Sequence, residues 1–159
     1  MADGSVMATF FDENREYVPL DKISPVMRQA QIAIEDNRFY SHGAIDLRGT
    51  MRALVSNMGG ASTQGGSTLT QQYVKQARIE MAVSAGDEEG VRSAQEQTVS
   101  RKLQELRYAI ALEHDLSKDQ ILERYLNIAY YGDGAYGVEA AAKHYFGVTA
   151  DKLDLGQAA

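Results

Sequence analysis

From Ser24 onward, apolar residues recur three and four positions apart in one segment after another. That spacing suits one face of a helix and not a strand, so it commits the chain to packed helices. Ser24-Pro25 predicts the first start, with serine at the N-cap and proline at the first helical position. Val26, Ala30, Ala33 and Ile34 give that helix its expected apolar face. Asp46 is placed to cap a second helix with the stripe Leu47, Met51, Leu54, Val55 and Met58, stopped by Gly59-Gly60. A third opens after Gly65-Gly66, with Ser67 as its expected cap, and Val99, Leu103, Leu106 and Ile110 predict a fourth. Ser117 followed by Gln120 is a capping-box pattern for a fifth, whose apolar face is Ile121, Leu122, Tyr125 and Ile128. Tyr131-Gly-Asp-Gly134 breaks it, an alanine-rich helix covers 138–145, and residues 153–159 begin another. Ahead of the helices, 6–11 reads as a short strand. The expected fold class is mainly α with a short N-terminal strand.

At 159 residues the chain suits one domain with one core. No apolar run approaches a membrane span, and Met1-Ala-Asp-Gly has neither the basic nor the apolar part of a secretory signal. The expectation is a single domain over 1–159, cut at both ends. Without cysteine there are no disulfides and no thiolate metal ligands. A net charge of −6 argues against general nucleic-acid binding, so any anionic ligand needs a local cluster of Lys and Arg. Between 78 and 97 the chain turns acidic and glycine-broken (Glu80, Gly86, Asp87, Glu88, Glu89, Gly90, Glu96), which reads as a solvated excursion and a candidate mobile insertion.

Several patterns carry chemistry. Glu35-Asp36 closes the first helix, with Phe39 and His42 following; a carboxylate against an apolar helix end suits a general base, although surface acids look the same. His42, His114 and His144 lack metal-ligand spacing. In Gln64-Gly-Gly-Ser-Thr-Leu-Thr-Gln-Gln72 the glycines admit close backbone approach, and a helix N-terminus with free N–H groups suits phosphate. The frame is not that of a P-loop. Arg101-Lys102 with Glu105 places cations and a carboxylate on one helix face, an arrangement shared with routine surface ion pairs.

Taken in order, five blocks decide between these readings: Glu35-Asp-x-x-Phe39-x-x-His42; Gly65-Gly-Ser-Thr-x-Thr-Gln-Gln72; Arg101-Lys-x-x-Glu105; Lys118-x-x-Ile-Leu-x-x-Tyr125-Leu-Asn127; and Gly132-x-Gly-x-x-Gly137 through Tyr145-Phe-Gly147. The chain resembles the glycosyltransferase family 51 domains of class A penicillin-binding proteins and monofunctional peptidoglycan glycosyltransferases, from about Leu20 to the C-terminus. It departs from their pattern twice. Gly43 follows His42 directly, leaving Ala44 where the family has glycine, and the stretch between Lys75 and Arg101 is long.

The resemblance implies a lysozyme-like helical large lobe with a smaller membrane-facing lobe. It implies polymerisation of lipid II, with inversion to a β-1,4 bond and release of undecaprenyl pyrophosphate. Glu35 is then the base that deprotonates the acceptor hydroxyl, and Glu105 the second catalytic carboxylate, orienting cations or assisting near the leaving group through a metal ion or water. Asp36, Phe39, His42, Gln64, Gly66, Ser67, Thr68, Thr70, Gln71, Lys75, Arg101, Lys102 and Asn127 are the expected substrate-binding set. No cofactor is firmly implied; a divalent cation, Mg or Mn, assisting pyrophosphate departure stays open. Expected partners are lipid II, the growing glycan strand, the membrane surface and a moenomycin-type inhibitor, with a transpeptidase domain in the parent chain as an option. The expected location is the outer face of the cell membrane, by way of an anchor beyond this sequence. The stripe at 51–58, beside Arg48 and Arg52, is either membrane-facing or core. The alternatives are a lysozyme-like muramidase or lytic transglycosylase, for which a pyrophosphate site has no use, and a non-catalytic lipid- or glycan-binding helical module.

Overall fold

The computed structural model describes residues 14–46, 66–96 and 98–159. The strand expected at 6–11, the helix expected after Asp46 with Leu47, Met51, Leu54, Val55 and Met58, the neighbouring Arg48 and Arg52, and Gln64 lie outside these residues. What is described is mainly helical, consistent with the lysozyme-like helical fold expected. Seven α-helices follow in order: α1 (Pro25–Glu35), α2 (Leu69–Ser84), α3 (Glu88–Gln95), α4 (Val99–Asp115), α5 (Lys118–Ile128), α6 (Val138–Phe146) and α7 (Leu155–Ala158). Two residue pairs, β1 (Asn14–Arg15) and β2 (Ala135–Tyr136), form a parallel ladder with Asn14 opposite Ala135.

The centre of the fold is α5. Its start is fixed by the expected capping box, in which Ser117 and Gln120 satisfy each other's backbone N–H groups. Its side chains then interlock with the core built from Ile23, Met27, Phe39, Leu69, Val138 and Leu153 around Ile121, Leu122 and Leu126. Each fully buried leucine or isoleucine there contributes about 1.5–3 kcal/mol relative to exposure. α2 lies across α4 and α5, while α1 packs on α7 and α6 on α5.

Several local expectations change in the tertiary setting. Ser24 precedes α1 but does not cap it with its side chain; its hydroxyl donates instead to the Leu153 carbonyl at 2.7 Å, tying the start of α1 to the C-terminal segment. The cap of α2 is Thr68 rather than Ser67, its Oγ1 accepting from Gln71 N. α1 buries Met27, leaving Ile34 70% exposed, because its packed side faces the Ile121–Leu126 core. On α4 the expected stripe faces outward, with Val99 at 78% and Leu103 at 58% exposure, and the buried positions are Glu105 and Ala109. The small Ala109 side chain, packed with Ala44 and Val74, lets α4 approach α2 closely. The acidic segment is helical: α2 runs to Ser84, a turn at Gly86 (φ +66°) reverses the chain, and α3 folds back on α2 with Asp87 capping it through Gly90 N at 2.8 Å. Its acidic side chains remain solvated, as their charge requires.

Candidate active site

Glu35 is the last residue of α1, where the carbonyl ends of the helix disfavour a negative charge. A donor offsets this: Gln72 Nε2 donates to Glu35 Oε2 at 2.8 Å. The carboxylate borders a cleft of about 360 Å³ whose walls include Gln31, Ile34, Tyr125, Tyr130 and Tyr131. Ile34, set aside from the core, thus lines the space beside the acid. Burial, and after it the Glu35 charge, pushes the Tyr125 phenol well above its ordinary value, so it remains a protonated donor. Tyr131 is raised in the same way by burial.

A second centre lies just ahead of α2, where Lys102 reaches Ser67. Both Glu105 oxygens are taken, Oε2 by Arg101 Nη1 and Oε1 by Lys102 Nζ at 2.6 Å. Lys102 Nζ also donates to Ser67 Oγ at 2.8 Å. The carboxylate is buried while the Lys102 side chain is 42% exposed, so the trio holds two cations around one fixed anion and carries net positive charge. Glu105 thus holds both cations in place. Lys75 is half-buried on α2, one helical turn from Gln72 on the same side. Arg78, one turn further, lies over the Tyr108 ring at 5.8 Å.

The remaining residues of the expected substrate-binding set build the walls. Asp36 is buried with both oxygens occupied, Oδ2 accepting from Leu69 N at 3.1 Å and Oδ1 paired with His42 Nε2 at 2.6 Å. It therefore anchors the N-terminus of α2 to the end of α1. Phe39 is fully buried, with Lys118 Nζ 4.5 Å above its ring, and offers no surface to a ligand. Thr68 and Gln71 both donate to the Ala44 carbonyl, and Thr70 donates to Glu113. Asn127 is buried far along α5, holding the backbone of Val18. Gly66 is exposed at the entry to α2. Asp36, Phe39, His42, Thr68, Thr70, Gln71 and Asn127 thus all make contacts within the protein itself.

Sequence reasoning missed Glu113, which accepts from Thr70 and from Lys118 Nζ at 2.8 Å and so joins two of the blocks. Gln31 also carried no local signal, and Gln72 gave only a generic donor. A divalent cation finds no ready cage among the described residues. Asp36, His42 and Asp46 have ligand atoms within 4.8 Å of one another, but Asp36 is satisfied by Leu69 and His42, and Arg38 pairs with Asp46. Glu105 is committed to its two cations.

The structure thus sets the Glu35 carboxylate at a cleft and fixes two cations, Arg101 and Lys102, on the buried Glu105. The transglycosylase family model matches residues 3–159, and the chain belongs to that family. It is 42% identical over 159 residues to penicillin-binding protein 1A of Escherichia coli (strain K12), covering 99% of this chain and 17% of that protein. It is 40% identical to penicillin-binding protein 2D of Bacillus subtilis (strain 168), covering 99% of this chain and 21% of the relative. A monofunctional glycosyltransferase of Staphylococcus epidermidis is 42% identical over 141 residues, which is 88% of this chain and 47% of that protein. The chain thus spans less than half the length of these curated relatives.

Proposed function

We propose that the chain is a peptidoglycan glycosyltransferase domain that polymerises lipid II into β-1,4-linked strands. The observation that carries this reading is Glu35, held by Gln72 of α2 at the edge of the cleft, with the Arg101–Glu105–Lys102 trio tied through Lys102 to Ser67 just ahead of the same helix. A sugar hydroxyl is a weak nucleophile, so Glu35 takes its proton as the oxygen attacks the donor's anomeric carbon. The electron pair of the breaking bond leaves with undecaprenyl pyrophosphate. Its growing negative charge is met by Arg101, Lys102 and Lys75, and cations held in place before reaction cost no reorganisation when it occurs. Ser67 and the start of α2 add donors on the same side. Glu105 orients the cations, and no step is routed through a metal ion.

The substrate places the domain at the outer face of the cell membrane. Among the described residues no helix is long and apolar enough to cross a membrane. A moenomycin-type phosphoglycolipid, which mimics the donor, is the expected inhibitor.

The test is incubation with labelled lipid II in detergent, resolving products by size. Wild type should build a ladder of long glycans, and Glu35→Gln should build none while keeping its helical circular dichroism. An active Glu35→Gln enzyme would remove Glu35 as the base. Arg101→Ala and Lys102→Ala should weaken donor binding, and unchanged donor affinity would remove the pyrophosphate role.

A further inference from the structure

Gln72 can serve Glu35 only in one of its two amide orientations. With the NH2 group toward the acid it donates a hydrogen bond, whereas after a flip the amide oxygen would face the carboxylate and repel it. The orientation is therefore a functional variable, and a group must set it. Tyr125 Oη donates to Gln72 Oε1 at 3.1 Å, and a phenol that donates its single proton there recognises the oxygen end of the amide. Tyr125 is buried on α5, and its phenol is protonated at every pH at which the protein would work. Its oxygen accepts from Gln31 Nε2 at 3.4 Å, and Gln31 Oε1 faces Tyr131 Oη at 3.5 Å, longer contacts that steer the phenol without strongly binding it. The chain of donors thus runs from Tyr131 through Gln31, Tyr125 and Gln72, and every member donates toward Glu35.

We infer that Tyr125 is a positioning residue for the reaction, fixing the Gln72 amide so that its NH2 group orients the Glu35 carboxylate. This rests on the reading of Glu35 as the base. Tyr125 shares the cleft wall with Glu35, and its hydroxyl reaches the acid only through the Gln72 amide. Losing its hydroxyl should therefore lower the rate of the chemical step without altering how the donor is held.

The experiment is a double-mutant cycle on the chain with lipid II, using Tyr125→Phe, Gln72→Met and the pair. Losing one neutral hydrogen bond corresponds to about a 3- to 10-fold fall in kcat for Tyr125→Phe, with KM for the donor unchanged. In the Gln72→Met background the same change should have no further effect, since the tyrosine acts through the amide. An undiminished kcat, an equal loss in both backgrounds, or a loss appearing in KM alone would overturn the inference. Nitrogen-15 NMR of the wild type gives a second readout independent of turnover. The Gln72 side-chain amide should show one slowly exchanging pair of protons in wild type and an averaged, rapidly exchanging pair in Tyr125→Phe; identical behaviour in both would equally overturn it. Glu35→Gln, run alongside, separates the two levels. An active Glu35→Gln removes the base and the inference with it, whereas an inactive one beside a fully active Tyr125→Phe removes the inference alone.

Discussion

Replacing Asn127 by alanine decides whether this side chain holds a ligand or the fold. In the structure it makes three hydrogen bonds of 2.8 Å, accepting at Oδ1 from Val18 N and donating through Nδ2 to the carbonyls of Val18 and Glu123. It is 3% exposed, so the alanine variant leaves those backbone groups facing a void rather than water. At a net value of about 1 kcal/mol per bond, the loss is about 3 kcal/mol. Against a total stability of about 5–15 kcal/mol, that is a severe defect. For a chain of this length each kcal/mol corresponds to roughly 2–4 °C, which places the drop in Tm at about 6–12 °C. The assay is thermal unfolding followed by circular dichroism, paired with binding of a moenomycin-type phosphoglycolipid at a temperature where the variant is folded. Asn127→Asp keeps the acceptor for Val18 N but loses both donated bonds, so it should fall between alanine and wild type or below both if its charge is left buried. A Tm within about 2 °C of wild type combined with lost ligand affinity would refute the argument and return Asn127 to the binding surface.

Two other perturbations have outcomes fixed by local geometry. Gly137 has φ +82° and sits so close to α5 that an added Cβ would lie 2.7 Å from the Asn127 carbonyl oxygen, so Gly137→Ala should lower stability by about 3 kcal/mol in a urea titration. Gly134→Ala, at φ +73° but in open space, should cost clearly less, and equal losses would rule out the backbone clash as the cause. Tyr40 is pushed up to about 12, first by burial and then by its hydrogen bond to Asp119. Its folded value lies above the unfolded one, so its contribution is complete below about pH 10, the unfolded value, and is lost as pH rises toward 12. Tm measured against pH should fall across that window, and Tyr40→Phe should flatten the fall; an unchanged slope would mean that other groups carry the alkaline transition.

Helix existence and several helix ends were legible in the sequence because their causes are local. The Ser117–Gln120 capping box and the start of α1 at Pro25 need only a few consecutive residues to act. The ordered blocks singled out Glu35 and the Arg101–Lys102–Glu105 group by residue type and spacing, and the structure sets Glu35 beside a cleft and both cations on Glu105. Which face of each helix would be buried was not legible for α1 and α4. On α4, Val99 and Leu103 satisfy the helical period, yet the packed face is the one that carries Glu105 and Ala109. A period locates a stripe, but the neighbouring helix decides which stripe it covers.

The sequence by itself therefore determined a mainly helical chain, the capping box at Ser117 and the break after α5, and the identity of the groups available for chemistry. Tertiary structure decided how those groups were divided between walls and site. Asp36 and Glu35 are adjacent in sequence, yet one is locked onto the start of α2 through Leu69 while the other faces the cleft and meets Gln72, 37 positions away. Asn127 and Gln71 have the same amide chemistry as a ligand-binding side chain, but each found backbone partners as the chain closed. A polar side chain carries donors and acceptors without specifying their partners, and only the packing of distant segments against one another determines whether those partners are backbone, another side chain or substrate.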